Sequence, residues 1–107
     1  MAKVVRENTQ DYKLLYDALL SLKTRKECKA FLEDICTIKE IDSLAQRLDV
    51  AVMLQDEKTY LEIAERTGAS TATISRVNRA LHYGSDGYNT VLKRITGKKK
   101  QNKGSKK

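Results

Sequence analysis

Proline is absent from all 107 residues, and none of the five glycines falls before position 68. The first 67 residues therefore contain no residue that breaks a helix outright, and an all-α fold follows as the default. Tryptophan is absent too, and His82 is the single histidine. Cys28 and Cys36 stand eight positions apart with no C-x-x-C pattern, which argues against a zinc site and a disulfide framework. Both are expected as buried apolar fillers. No apolar run is long enough for a signal peptide or a membrane span, so a cytoplasmic protein without a membrane partner is expected. A nucleophile paired with a base and a glycine-rich phosphate loop are also lacking. Consequently no enzyme activity, catalytic residue, cofactor or metal is assigned.

What the chain has in excess is positive charge, and most of that excess sits at one end. The formal net charge is +7, but the last eleven residues, GKKKQNKGSKK, hold six lysines and no acid. Without them 15 basic residues face 14 acidic ones, a net charge of +1. Overall basicity is thus weak support for nucleic-acid binding by the body. The tail at 97–107 reads as lysine-rich and disordered, and residues 1–8 as a flexible N-terminus. Between them, 9–96 is expected as one helical domain for DNA binding and dimerisation.

Helical spacing runs through that domain. Tyr12, Leu15, Tyr16, Leu19 and Leu20 form an apolar stripe from Thr9 to about Leu22. Thr24 with Glu27 has the T-x-x-E spacing of a capping box and opens a second helix carrying Cys28, Phe31, Leu32, Ile35 and Cys36. Thr37 with Glu40 repeats the spacing ahead of a third helix with the stripe Ile41, Leu44, Ala45, Leu48 and Val52. Val50 and Met53 are apolar off that stripe. A helix apolar on more than one face must be covered on two sides, which predicts a homodimer. Gln55 to Lys58 reads as a polar turn. After position 83, Gly84-Ser85-Asp86-Gly87 breaks the chain, and Tyr88, Val91, Leu92 and Ile95 give a last amphipathic helix, six in all.

The stretch Thr59 to Tyr83 carries the functional expectation. Thr59 and Glu62 form another capping box, Ala64 is small where two helices cross, and Gly68 suits the left-handed turn between them. This is a helix-turn-helix. In its second helix Ile74, Val77 and Leu81 recur on the inner side. The outer side then carries Thr71, Ala72 and Thr73 for base edges and thymine methyls, Ser70 and Ser75 for phosphate or water, and Arg76 and Arg79 for phosphate or guanine. The expected partner is double-stranded DNA. The alternative is a helical protein–protein interaction module that keeps the hairpin as scaffold.

The run GASTATISRVNRAL, with LAQRLDVAVML upstream and HYGSDGYNTVL downstream, resembles the Trp repressor family, in particular its YerC/YecD-type branch. The resemblance implies an intertwined six-helix homodimer whose two recognition helices enter successive major grooves of a roughly palindromic operator, acting as a transcriptional repressor. The family holds tryptophan with a threonine, two arginines and a glycine. Thr37, Arg47 and Arg76 match the first three, whereas Val77 replaces the glycine. A branched side chain occupies the volume that the glycine leaves to the indole. A vestigial pocket at Thr37, Arg47, Arg76 and Val77, with no small-molecule effector, is therefore the expectation. Leu61 and Ala64 stand where the repressor carries an arginine and a lysine that touch DNA, so its operator does not transfer.

Overall fold

The computed structural model describes residues 10–97. The expected flexible N-terminus at 1–8, and the expected tail beyond Gly97, lie outside the described residues. Six helices, α1 (Gln10–Ser21), α2 (Arg25–Ile35), α3 (Ile38–Gln55), α4 (Tyr60–Thr67), α5 (Thr71–Tyr83) and α6 (Gly87–Thr96), follow one another with no strand among the described residues. They fall into two compact units, 1–38 and 39–107.

In the first unit, local interactions shape the helices. Tyr12 and Tyr16, one turn apart on α1, stack with ring centroids 6.3 Å apart. The i,i+4 pairs Lys13–Asp17 at 3.0 Å and Lys29–Glu33 at 2.8 Å lie on exposed faces, where such pairs contribute about 0.3–0.5 kcal/mol each. Thr24 caps α2 by accepting the Glu27 N–H at 3.0 Å. The expected reciprocal bond is displaced by one residue, because the Glu27 carboxylate accepts from the Lys23 N–H at 2.8 Å. No residue from Tyr12 to Ile35 is buried, and Cys28 and Cys36 are half-buried, not the sealed fillers expected. Helical spacing identified an apolar stripe but could not say whether this chain covers it.

The second unit holds the core: Val50 and Ala51 of α3, Ile63 of α4, Ala69 of the turn, Ile74, Val77 and Leu81 of α5, and Leu92 of α6. Burying each large aliphatic side chain contributes about 1.5–3 kcal/mol. The α3 stripe is a correction. Val50 and Ala51 face the core, whereas Leu44 and Leu48 of the expected stripe are exposed. Both faces of α3 are apolar, so periodicity alone could not choose between them. Gln55 is not in a turn but closes α3 as a buried residue. On α6, Asn89 and Leu92 are buried while Val91 and Ile95 stand exposed. Asn89 is drawn inward by hydrogen bonds that hydropathy does not register: it accepts from Gln55 Nε2 at 3.1 Å and donates to the Leu81 carbonyl at 3.0 Å.

The elbow between α4 and α5 is chemically defined on both sides. Thr59 accepts the Glu62 N–H at 3.1 Å, and Glu62 accepts the Thr59 N–H at 3.1 Å, completing the capping box. Gly68 ends α4 with φ +76°, its N–H bonded to the Ala64 carbonyl at 2.9 Å. Thr67 donates to the Ile63 carbonyl at 2.7 Å and accepts the Ala69 N–H at 3.1 Å. Gln46 of α3 donates to the Thr67 carbonyl at 3.2 Å, so the elbow is also tied to the helix beneath it.

The two glycines that bound α5 are required for different reasons. A Cβ at Gly68 meets no atom within 4 Å, so Gly68→Ala bears only the left-handed backbone penalty, about 1–2 kcal/mol. A Cβ at Gly84 would lie 2.6 Å from the Ala80 carbonyl oxygen. Gly84→Ala is therefore expected to lower the urea midpoint more than Gly68→Ala, and the reverse order would refute this assignment. The Glu62 cap gives a second expectation. The Thr59 backbone N–H holds the carboxyl below its ordinary value of 4.5, and Lys58 adds to the effect. A depressed folded-state pKa contributes stability that is present above the unfolded value and is lost as pH falls through the folded one. Glu62→Gln should therefore melt below wild type at neutral pH, with the gap closing as pH falls below the ordinary carboxyl value of 4.5. A gap that stays constant down to pH 3 would contradict it.

Candidate nucleic-acid interface

Helix α5 divides cleanly into an inner and an outer side. Ile74, Val77 and Leu81, at i, i+3 and i+7, are buried. Ala72, Ser75, Arg76 and Arg79, also at helical spacing, are exposed together with Thr71, while Thr73 is half-buried. No acidic residue lies between Thr71 and Tyr83. Neither Arg76 nor Arg79 forms an ion pair among the described residues. The outer side therefore offers two uncompensated guanidinium groups alongside small polar groups.

Ser70 plays a part that the sequence reading missed. It is the N-cap of α5, in extended conformation, accepting the Thr73 N–H at 3.1 Å and donating to the Thr73 hydroxyl at 3.1 Å. The S-x-x-T spacing at 70–73 was the available signal. Two of the expected DNA-facing hydroxyls are thus engaged with each other and fix the start of the helix. The first turn still leaves backbone N–H groups without intrahelical acceptors, which suits a phosphate oxygen. On α4, Leu61 is exposed and Ala64 half-buried, so the first helix of the motif presents a leucine where a cation would have met phosphate.

Of the residues expected to form a vestigial pocket, two meet. Arg47 of α3 and Arg76 of α5 line one open cleft of about 350 Å³ together with Ser43, Ala72 and Thr73. Val77 does not line it; its side chain is 1% exposed and packs in the core. Thr37 belongs to the first unit. Nothing in the spacing of α3 singled out Ser43, which enters the cleft because it precedes Arg47 by one turn. Among the described residues no group of three or more His, Cys, Asp or Glu side chains could hold a metal ion, and no helix is long and apolar enough to cross a membrane.

Comparison with known proteins agrees with this geometry. The Bacillus subtilis (strain 168) protein YerC, itself uncharacterized, is 57% identical over 81 residues, covering 76% of this chain and 78% of that one. A solved TrpR-like protein from Eubacterium eligens ATCC 27750 is 57% identical with a TM-score of 0.79, covering 87% of this chain and 95% of that one. A Staphylococcus aureus structure assigned as a candidate Trp repressor is 47% identical with the same TM-score of 0.79, covering 84% and 90%. The family pattern for the Trp repressor protein matches residues 10–96, an extent that takes in all six helices and both arginine-bearing sides of the cleft. The chain belongs to the Trp repressor family, in its YerC-type branch, a family of helix-turn-helix DNA-binding regulators and not of enzymes.

Proposed function

We propose that this helix-turn-helix regulator is a sequence-specific repressor that reads a roughly palindromic operator as a homodimer and needs no tryptophan to do so. The observation that carries the reading is the outer side of α5, where Arg76 and Arg79 stand exposed and unpaired among the described residues on a helix without a single acid. Thr71, Ala72 and Thr73 occupy the first turn, the part of a recognition helix that meets base edges. Ser75 shares the exposed side, in reach of phosphate or bridging water, and Ser70 orients the turn as its cap.

Uncovered apolar surface supports the dimer. Leu14 and Leu20 of α1 are 81% and 82% exposed, and Ile38, Leu44 and Leu48 of α3 are exposed as well. A second copy would remove such surface from water at about 25 cal/mol per Å². Two-fold symmetry would present two recognition helices to half-sites about 34 Å apart. Val77 supports the independence from tryptophan, since the family's pocket has a glycine there and this chain commits the position to its core. The cleft between Arg47 and Arg76 is accordingly read as vestigial, with Thr37 the remaining match to the family's ligand set.

Selection of bound duplexes from a random pool should return paired half-sites about ten base pairs apart, centre to centre. Arg79→Ala should then weaken binding by about 1–3 kcal/mol on the selected duplex alone if it meets guanine, or on all sequences, with a shallower salt slope, if it meets phosphate. Unchanged binding on both kinds of duplex would remove Arg79 from the interface. For the effector, thermal unfolding with millimolar tryptophan should match that without it, because any ligand of the folded state raises its apparent stability. A reproducible upward shift would overturn the effector-free reading.

A further inference from the structure

Gln55 and Asn89 are the only polar residues buried among those described, at 6% and 7% exposure. We infer that they are positioning residues that aim the recognition helix, an inference that rests on the DNA-reading function proposed above. Gln55 Nε2 donates to Asn89 Oδ1 at 3.1 Å, which ties the end of α3 to α6. Asn89 Nδ2 donates one hydrogen to the Leu81 carbonyl at 3.0 Å and the other to Asp86 Oδ1 at 2.9 Å. The Leu81 carbonyl is among the last four of α5, which have no donor within the helix. Asp86 holds a left-handed backbone, φ +69°, immediately before α6. One side chain thus joins the C-terminal end of α5, the start of α6 and, through Gln55, the end of α3.

An apolar pair of similar shape would fill the same space without desolvating two amides. What it would lack is direction. Apolar burial is non-directional, so Ile74, Val77 and Leu81 hold α5 down but constrain its tilt weakly. A hydrogen bond is confined to about 2.7–3.2 Å and to near-linear angles. The consequence is set by leverage, because α5 has 13 residues and so is about 20 Å long. A swing of about 10° at its C-terminal end moves the first turn by roughly 3 Å, more than a base-edge hydrogen bond tolerates. The amide pair lies at the end of α5 far from Thr71 to Thr73, where its hold on direction has the longest lever.

The test separates packing from aim. Gln55→Met/Asn89→Leu replaces both amides by apolar groups of similar size; because the Leu81 carbonyl and Asp86 lose their donor, its thermal melt should fall somewhat below that of wild type while the transition stays cooperative. On the duplex that wild type selects from a random pool, its affinity should nevertheless fall by roughly tenfold or more, the loss of about one base contact. Binding to unselected duplex and the salt slope should stay unchanged, since neither depends on register. Selective binding retained within about twofold by a well-folded double variant would overturn the inference. Gln55→Met alone provides a second reading should the double variant not fold: it leaves the Asn89 bonds to α5 and α6 in place, cuts the link to α3, and should lose selectivity in the same sense. Wild-type protein that enriches no sequence would overturn the DNA-reading function itself, whereas enrichment by wild type with selectivity intact in both variants overturns only the role of the amides.

Discussion

Helix α5 has to be held from one side only. Its contacts come from Ile74, Val77, Leu81 and the two helix ends, because the opposite side is exposed. This constraint explains why the core of the second unit gathers beneath α5, drawing on α3, α4, α6 and the elbow. Six of its members, Val50, Ala51, Ile63, Ile74, Val77 and Leu92, are fully buried. They supply most of the attachment energy by leaving water, and they do so without spending any group on the outer face.

Polar interactions serve a different purpose: they fix the ends. At the N-terminal end Ser70 caps α5, and the elbow before it is stitched by Gly68, Thr67 and Gln46. At the C-terminal end the Asn89 amide takes up the Leu81 carbonyl that the helix itself leaves unpaired. The same division recurs at α4, where the Thr59–Glu62 box satisfies two N–H groups at the start and a left-handed glycine closes the end. Apolar contacts attach each helix, and directional bonds at its termini set where it begins, ends and points.

How much of this was legible in the sequence depended on whether the signal was local. The elbow was readable because T-x-x-E at 59–62 and a glycine at 68 act through bonds within a few residues, and the inner face of α5 was readable because one apolar stripe had a single possible destination. The choice of face on α3 was not readable. Leu44 and Leu48 are as apolar as Val50 and Ala51, and only the position of α4 to α6 decides which pair is covered. Gln55 was misplaced and Asn89 not singled out for a related reason, since each is drawn inside by a hydrogen bond to the other, 34 positions away. At the interface, the exposed side from Thr71 to Arg79 followed from helical periodicity, whereas the engagement of Ser70 with Thr73 followed from a capping pattern that was present and overlooked.

On the effector-free reading proposed above, Val77 links the packing of the core to the cleft beside it. As a core residue it is fully packed against its neighbours, so its side chain cannot also be a movable wall of the cleft that Arg47 and Arg76 line. A glycine at this position would remove the three side-chain carbon atoms of the valine from beneath α5, a loss on the scale of one large-to-small core substitution. A ligand filling that space would then replace missing core and steady the helix in one act, which couples binding to order. In the present chain the valine supplies that packing permanently. Helix α5 is supported by the core below and by the Asn89 and Ser70 contacts at its ends.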